Sequence, residues 1–428
     1  MTATQIVAQI STGTLTAEAV MVDHLARINA RDSAVHAFID FDPERALKLA
    51  LAADRQPEKG ILHGVPFAVK DIIDTFDLPT AWGSPIYAGL QTPRNASCVE
   101  MLILAGALPI GKTVTTEFAY FSPGPTRNPH NLEHTPGGSS SGSAAAVADG
   151  MAVFGLGSQT AASLTRPAAY CGVFGYKASF GSIDLQGVMG LAKSLDSLGL
   201  LARSIDDLIL SRAALCGTLL PNDFPAESAP RAIALLRGPH WHEASQSTQD
   251  ALIEASEILA SGGFSVTDLE TPTEFIQLSE SHKVIMAFEV ARARQFEFRN
   301  HPEKLSGAFY SLIETGLATS RADYEVALAT RDAGEAVLAE LCLTYDALMT
   351  PAAPSSAPAG IEATGDPLFS RLWTVMRVPT VTIPFGRDVE NLPLAFQLVG
   401  GFDADQHLLA LSKDVANYLQ ISCELPKL

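Results

Sequence analysis

The chain has 428 residues and a formal net charge of −18; 47% of its residues are hydrophobic and only 18% are charged. The apolar fraction excludes a disordered protein, and the few, dispersed basic residues exclude a nucleic-acid-binding surface, which needs clustered Lys and Arg. No apolar run reaches about 18 residues, so no membrane span is expected. The five cysteines are widely spread and the first residues lack signal-peptide features, so we expect a reducing, cytoplasmic location.

The predicted elements of the first 160 residues alternate between helix and strand. Apolar residues at helical spacing predict helices, and short apolar runs bounded by Gly, Pro or Asp predict strands. In chain order these are helix 16–30, strand 35–39, helix 46–53, a strand that ends on Lys70 and Asp71, helix 97–105, strand 107–112, helix 144–152 and strand 153–157. Residues 122–143 and 158–172 are predicted as loops, and a loop as long as the first is usually functional in a compact domain.

The remainder of the chain continues the alternation. A long, mostly helical region is predicted over about 274–342. Around it we predict strands 232–236 and 264–268 with a helix from Ser247 between them, then strands 347–349, 380–383 and 395–399, and a last helix from Asp405. Strands that alternate with helices are typical of an α/β protein in which helices cover a sheet.

Two stretches match catalytic motifs but stand in the wrong local context. Gly138–Gly142 matches GxSxG, yet that motif follows a sheet strand, and the preceding NPHNLEHTP is not one. His130–His134 matches an inverted zinc-protease motif that requires a helix, which Pro129 and Pro136 disfavour. We therefore expect neither a nucleophile elbow nor a metal site. Cys171, among small apolar neighbours, is expected to be a buried thiol and not a nucleophile.

Three further features can carry chemistry. Lys70 closes an apolar strand, where burial would disfavour its charged form. The serines of 139–141 lie in a Gly-rich loop, and Ser163 stands in a loop that leaves a buried strand. A neutral lysine can act as the base for a serine nucleophile. Taken singly, each feature favours a structural role, as a surface ion pair or a polar loop.

Together these stretches resemble the amidase signature family. GVPFAVKD is similar to its lysine motif, TPGGSSSGSAAAVA to its glycine/serine motif and GSQTAASLTRPAAYCGVFGYK to its nucleophile motif, in order and at fitting spacing. LMTPAAP, TGDPLF and LPLAFQLVG resemble its C-terminal elements, so the resemblance spans most of 5–420. It implies an α/β fold in a single large domain, 1–428, with a central mixed sheet covered by helices on both faces. The motif core would lie at about 60–200 and a helical, substrate-shaping region at about 220–342.

The resemblance also implies roles for individual residues. Ser163 would be the nucleophile, Lys70 the general base, and Ser139, beside a non-proline cis peptide, the serine that bridges them. The implied reaction cleaves a carboxamide through a serine acyl-enzyme to a carboxylate and ammonia or an amine, without metal or other cofactor. The implied oxyanion hole consists of the backbone N–H groups of Thr160, Ala161, Ala162 and Ser163.

The nucleophile stretch departs from the family's usual GSDTGGSIRxPA. Gln159 replaces the usual Asp, Ala161 and Ala162 replace two glycines, and Arg166 is shifted by one position. An alanine at a position that needs positive φ would be strained. These changes indicate a divergent subgroup. They bear on the geometry of the implied oxyanion loop more than on the identity of Ser163 as the nucleophile.

Three functions fit these observations. The leading hypothesis is a hydrolase of linear amides; the alternatives are an amidotransferase subunit that delivers ammonia to a partner protein, and a catalytically impaired binding protein. The expected partners are a small-molecule amide and, from the resemblance, a second copy in a homodimer. The few charges near the motifs favour a neutral or aromatic acyl group. Candidate pocket-wall residues, each of which could equally belong to the core, are Trp82, Tyr87, Phe118, Tyr120 and Trp373.

Overall fold

A computed structural model describes residues 1–217 and 231–426, and within these ranges the strands form one mixed 11-stranded sheet. Its order is β1-β3-β2-β4-β6-β5-β10-β11-β9-β7-β8. The strands are β1 (Phe38–Asp40), β2 (Pro66–Lys70), β3 (Leu108–Thr113), β4 (Phe154–Gln159), β5 (Phe174–Lys177), β6 (Ser197–Ala202), β7 (Ala232–Leu236), β8 (Ser265–Leu269), β9 (Ala347–Pro351), β10 (Thr380–Arg387) and β11 (Pro393–Val399).

Helices fill most of the intervals between these strands. They are α1 (Ala3–Ser11), α2 (Ala17–Val35), α3 (Pro43–Asp54), α4 (Ser97–Leu104), α5 (Ser141–Ala148), α6 (Thr165–Cys171), α7 (Ile205–Cys216), α8 (Gln246–Ser261), α9 (Leu278–Ala293), α10 (Gln295–Asn300), α11 (Gly307–Ala318), α12 (Arg321–Leu341), α13 (Leu368–Val375) and α14 (Asp405–Tyr418). Across the described ranges, none of these helices combines the length and apolar character needed to cross a bilayer.

Parallel pairing in two parts of the sheet determines where the strand ends meet. β3, β2 and β4 are mutually parallel neighbours, as are β9, β7 and β8, while antiparallel pairs join these two groups. All residues of β2 and β4 are buried, as expected for strands covered on both faces. Because β2 and β4 run in the same direction, Lys70 and Gln159 end at the same edge of the sheet.

Helices cover both faces of the sheet, as strand β6 shows. Leu201 of β6 packs with Ala144 of α5 and Ala168 of α6 in a small apolar cluster. Its neighbour Leu200, on the opposite face, belongs to the main core together with Leu208 of α7. The predicted α/β fold with a mixed sheet between two helical layers is confirmed.

Several predicted boundaries need correction. Helix α2 runs to Val35, with Thr16 as its N-cap, so the predicted strand 35–39 begins only at Phe38. The predicted loop 158–172 contains the end of β4 and the whole of α6, since Pro167 lies in the first turn of α6, where a missing N–H costs nothing. Helices α1, α7 and α13 and strands β5 and β6 were not predicted.

The helical region predicted over about 220–342 is described only in part, since residues 220–230 lie outside the described ranges. From residue 231 onward it contains helices α8 to α12, but also the parallel strands β7 and β8.

Candidate active site

Lys70 ends β2 with a completely buried side chain. Its Nζ forms hydrogen bonds with Ser139 Oγ (2.7 Å) and Ser158 Oγ (2.9 Å). Burial lowers the pKa of Lys70 to about 7, and the opposing influence of the Asp196 charge is smaller. Near neutral pH much of Lys70 is therefore an uncharged amine bonded to hydroxyl groups, which is the state in which a lysine can accept a proton.

The glycine/serine stretch is buried, although its composition resembles that of a flexible linker. Ser139 follows a cis peptide bond from Gly138 and is 1% exposed. Ser141 Oγ donates to the carbonyl of Val114 (3.2 Å). A Cβ at Gly142 would lie 2.2 Å from the carbonyl oxygen of Ala37, so only glycine fits where α5 crosses this backbone. Close packing between backbones therefore explains the small residues and holds Ser139 in place.

Ser163 lies in the turn between β4 and α6. Within the described part of the chain, its hydroxyl makes no hydrogen bond to another residue. Its carbonyl accepts a bond from the N–H of Ser140 (3.3 Å), which ties the nucleophile loop to the residue after Ser139. The structure thus contains the contact between Lys70 and Ser139 that the resemblance implies. The hydroxyls of Ser139 and Ser163 form no hydrogen bond with each other, and the nearest link between the two loops is the backbone bond from Ser140 to Ser163.

Gln159 organises the nucleophile loop. Its Oε1 accepts hydrogen bonds from the N–H groups of Leu164 (2.9 Å) and Thr165 (3.0 Å), which begin helix α6. Its Nε2 donates to Thr374 Oγ1 (3.0 Å), and that hydroxyl donates to the carbonyl of Ala161 (2.8 Å). A glutamine therefore anchors both ends of the loop, and does so without placing a negative charge there.

The two alanines of this loop have ordinary backbone conformations. Neither Ala161 nor Ala162 is among the described non-glycine residues with positive φ, so their Cβ atoms cause none of the backbone strain considered above. The N–H groups of Ala161, Ala162 and Ser163 donate to no acceptor within residues 1–217 and 231–426. Three adjacent, unused donors beside a serine hydroxyl are what an oxyanion hole requires.

Thr160 is held from two sides. Its hydroxyl donates to the carboxylate of Asp196 (2.5 Å), which also accepts the N–H of Leu191 (2.8 Å). Its carbonyl lies 2.6 Å from Nε2 of His282 on helix α9. Burial lowers the pKa of His282 to about 3 and raises the pKa of Asp196 to about 6. His282 is therefore neutral at neutral pH and donates this bond from Nε2, whereas Asp196 is largely ionised.

Arg166 supports the backbone beside Ser139. Its guanidinium donates to the carbonyl of Gly138 (2.7 Å), the carbonyl of Gly365 (2.7 Å) and the hydroxyl of Thr364 (3.0 Å). Burial lowers the pKa of Arg166 to about 10, so it remains charged at neutral pH. The arginine that is shifted by one position in the sequence therefore fastens the glycine/serine loop to the segment before α13.

Ser163 lines a pocket with about 350 Å³ of space outside the protein atoms, part of it open to solvent. The pocket draws its walls from the nucleophile loop, from helices α9 and α13 and from the segment after residue 118. Its lining residues are Ala119, Tyr120, Phe121, Thr160, Ala161, Ala162, Ser163, Arg166, Leu191, Met286, Pro367 and Arg371. Of the five aromatic residues predicted as pocket walls, Tyr120 lies here.

The other four predicted wall residues do not line this pocket. Trp82 and Tyr87 contact each other (ring centroids 4.2 Å apart), and Phe118 stacks on Phe309 (4.9 Å). Trp82 and Phe118 have positive φ (58° and 46°), which is rare for bulky side chains and tends to occur near functional sites. The prediction of Phe118 and Trp373 as pocket walls is wrong: they are 0% and 1% exposed and belong to the core. For Trp373 the reason is that its side of α13 faces away from the pocket.

A second cavity, with about 720 Å³ of space including solvent, adjoins the first. The two share Ala119, Thr160 and Leu191 as lining residues. Its wall also includes Ser158, which bonds Lys70, and the carboxylate of Asp196. Ser158, which bonds Lys70, therefore lines a cavity that shares Thr160 with the Ser163 pocket.

The remaining sequence motifs have structural roles in the described chain. His130 and His134 lie in a loop, where Nε2 of the first is 2.9 Å from the carbonyl of Cys171 and Nδ1 of the second 2.8 Å from that of Ala357. Cys171 is completely buried, which raises the pKa of its thiol far above the usual value. Among the residues with described positions, no cluster of three or more His, Cys, Asp or Glu is arranged to hold a metal ion.

Several known proteins are similar to this chain in sequence and structure over almost its whole length. A glutamyl-tRNA(Gln) amidotransferase subunit from Lachnospira eligens is 29% identical, over 93% of this chain and 94% of its own. A solved structure described as an amidase is 29% identical, with a TM-score of 0.87 and coverage of 98% of this chain and 99% of that chain. A second solved structure is 28% identical, with a TM-score of 0.89 and coverage of 99% of both chains. It is described as an inhibitor-bound vestigial protein complex that reveals the evolutionary origins of an s-triazine catabolic enzyme.

The sequence model of the Amidase family matches residues 19–409, which include every residue of the site described above. Together with structural neighbours that align over nearly the whole chain, this match confirms the resemblance found in the sequence motifs. The chain belongs to the amidase signature family.

Proposed function

We propose that the protein hydrolyses a linear carboxamide to a carboxylate and ammonia or an amine. Ser163 is the nucleophile, Ser139 the bridging hydroxyl and Lys70 the general base. The observation that carries the proposal is a fully buried lysine, with a pKa of about 7, that lies 2.7 Å from Ser139 next to the pocket lined by Ser163. A base whose pKa lies near the working pH is effective in proton transfer.

The proton moves through the two serines toward the lysine. Uncharged Lys70 accepts the proton of Ser139 as Ser139 accepts that of Ser163, and Ser163 Oγ attacks the amide carbon. The C–N bond then breaks, and the relay returns the proton to the leaving nitrogen. Water, activated by the same base, hydrolyses the acyl-enzyme. The hydroxyls at 139 and 163 must come within hydrogen-bond distance when substrate binds, since catalytic contacts are often loose in free enzymes.

The negative oxygen that develops on the substrate would be stabilised by the nucleophile loop. The N–H groups of Ala161, Ala162 and Ser163 are unused, and that of Thr160 precedes them in the same segment. One donor of this kind is typically worth about 2.7–4 kcal/mol of transition-state stabilisation. The ordinary φ angles of the alanines and the anchoring by Gln159 support a competent loop over an impaired binding protein.

The test is a panel of amide, ester and carbamate substrates, with wild type and Ser163→Ala assayed in parallel. We expect wild type to turn over at least one amide and to react covalently with a fluorophosphonate probe. Ser163→Ala should lose the labelling and at least about 10⁴-fold in kcat/KM, as when a nucleophile is removed from other serine hydrolases. Full activity in Ser163→Ala would refute the assignment of the nucleophile.

A second candidate, an amidotransferase subunit, is favoured by the names of relatives that match over 93% and 98% of this chain. In that case the ammonia released at Ser163 would pass to a partner protein. Turnover by the purified chain alone supports the hydrolase, whereas activity that requires a tightly co-purifying partner supports the amidotransferase. Sedimentation of the purified chain would also test the expected homodimer.

A further inference from the structure

Arg371, on helix α13, is a buried cation without a partner. It lines the pocket together with Ser163 and is only 9% exposed. Within the described ranges its guanidinium forms no hydrogen bond and no ion pair, and the Nε is buried and unsatisfied. Its terminal nitrogens are not among the fully buried atoms, so they are accessible from the pocket and can donate to a bound acceptor.

The second arginine of the pocket differs in this respect. Arg166 also lines it, and its Nε is likewise buried without an acceptor, but its two terminal nitrogens donate to two carbonyls and one hydroxyl of the protein. These acceptors are neutral, so neither positive charge is balanced by a carboxylate within ion-pair distance. Arg166 therefore serves the protein backbone, whereas the donors of Arg371 remain for a ligand.

No acidic side chain lines this pocket within the described residues. Asp366, the nearest acid in sequence to Arg371, is exposed and lies beyond ion-pair distance, although its charge opposes the lowering of the Arg371 pKa by burial. Glu280 is engaged by Lys283 at 2.6 Å. The pocket is thus locally positive in a protein whose net charge is −18. A pocket lined by two arginines and no acid favours an anionic ligand over a cationic one.

We propose that the substrate is a linear amide that carries a carboxylate, such as the half-amide of a short dicarboxylic acid, and that Arg371 binds this carboxylate. The planar guanidinium matches a carboxylate with two parallel hydrogen bonds. This inference rests on the proposed function, since it places the scissile amide at Ser163. It replaces the neutral or aromatic acyl group that the sequence favoured.

The experiment compares half-amides with neutral amides of the same shape. Malonamate, succinamate and glutaramate are assayed beside malonamide, succinamide and glutaramide, for which kcat and KM are measured separately. For at least one chain length we expect wild type to prefer the half-amide by about 100-fold in kcat/KM, which is the scale of a charged hydrogen-bonded contact. Equal or better turnover of the neutral amides at every length would overturn the inference.

Variants at position 371 assign the preference to this residue. Arg371→Gln should remove most of the preference, mainly through KM, and Arg371→Lys should keep part of it. The matched control is Arg321→Gln, which removes an exposed arginine paired with Glu325 outside the pocket and should leave the preference unchanged. A loss of equal size on charged and neutral amides in Arg371→Gln would show a structural role and overturn the inference.

A further comparison uses glutamine, which adds an ammonium group to the glutaramate skeleton. Because no acid lines the pocket, we expect glutaramate to be the better substrate. A preference for glutamine would overturn the inference in this form and favour the amidotransferase.

Two readouts keep this inference separate from the proposed function. If wild type neither labels with fluorophosphonate nor cleaves any amide, the proposed function fails. If it labels at Ser163 and cleaves only neutral amides, the function stands and the anionic substrate is refuted. Should Arg371→Gln not fold, protection of wild-type Ser163 from labelling by malonate, succinate or glutarate, but not by the matching diamides, provides the test.

Discussion

The two sides of the pocket are built differently. The catalytic side, formed by Lys70, Ser139 and the loop that holds Ser163, stands on the ends of β2 and β4, and its supporting polar groups are bonded within the protein. The substrate-facing side, represented by Met286 and Arg371, comes from helices distant in sequence, and its arginine has no protein partner within the described ranges. On the proposed function, the reaction would therefore depend on short, contiguous motifs, whereas selectivity would depend on how distant segments meet.

Helices α9 and α13 connect the two sides. Each carries one residue that holds the nucleophile loop and another, three or four positions away on the same face, that lines the pocket. On α9 these are His282 and Met286, and on α13 they are Thr374 and Arg371. A change in the position of either helix would therefore affect both the oxyanion loop and the substrate contacts.

Among the residues that support the proposed nucleophile Ser163, removal of the base should have the largest effect. Lys70→Ala is expected to lower kcat by about 10²–10⁴-fold, because no other group takes the proton from Ser139. The fold should persist, since the substitution removes a buried amine that is costly to desolvate. Stopped assays of kcat beside a thermal melt would measure both. Turnover close to that of wild type at neutral pH would contradict the proton relay.

Removal of Gln159, which anchors the nucleophile loop, should have the second-largest effect. Gln159→Ala leaves the N–H groups of Leu164 and Thr165 without an acceptor, at about 1–3 kcal/mol each. We expect a lower Tm and a fall in kcat of about 10–100-fold, because the oxyanion donors lose their position. Gln159→Glu keeps the two acceptors and should melt closer to wild type. If both variants melt alike, the contribution of these hydrogen bonds is refuted.

The pH dependence should distinguish Lys70 from its surroundings. Protonated Lys70 cannot act as base, so kcat/KM should fall as the pH drops through about 7 and level off above it. Asp196 raises the pKa of Lys70, so Asp196→Asn should move this acidic limb to lower pH while the neutral side chain can still bond Thr160. A limb that stays in place or moves upward in Asp196→Asn would show that another group titrates.

The smallest effect should come from the apolar wall. Met286→Ala enlarges the pocket and should change KM by a few-fold with little effect on kcat, since it touches bound substrate but not the reacting atoms. Met189→Ala, in the adjoining cavity, is the matched control. If Met189→Ala changes KM more than Met286→Ala does, the substrate lies in the other cavity.

The residues of the proposed catalytic side could be picked out from the sequence for a physical reason. A lysine at the end of an apolar strand, a glycine-rich turn and a serine after a buried strand are local patterns, and each keeps its meaning without knowledge of the rest of the fold. The contacts that support them are not local. The role of Gln159 depends on Thr374, more than 200 residues away, and the part played by Ser158 emerges only once β2 and β4 are paired.

The substrate-facing side could not be predicted in the same way. Arg371 stands in the apolar stretch LFSRLWTV, where an arginine usually marks the exposed face of a helix. What sets Arg371 apart is that its guanidinium forms no hydrogen bond or ion pair within the described chain. A sequence pattern cannot show this. Of the aromatic residues predicted as pocket walls, Tyr120 lines the pocket and Trp373 does not. Trp373 is two positions from Arg371, and a separation of two places side chains on different faces of a helix.

The crowding around Gly142 has a consequence for protein engineering. New chain termini and inserted domains are tolerated in exposed loops of small polar residues, and residues 137–143 match that description by composition. Yet a Cβ at Gly142 would be 2.4 Å from the backbone nitrogen of Val114, so a circular permutant opened there would separate Ser139 from Lys70. The turn between β10 and β11, where Val389 is 98% exposed, is the better place to open the chain.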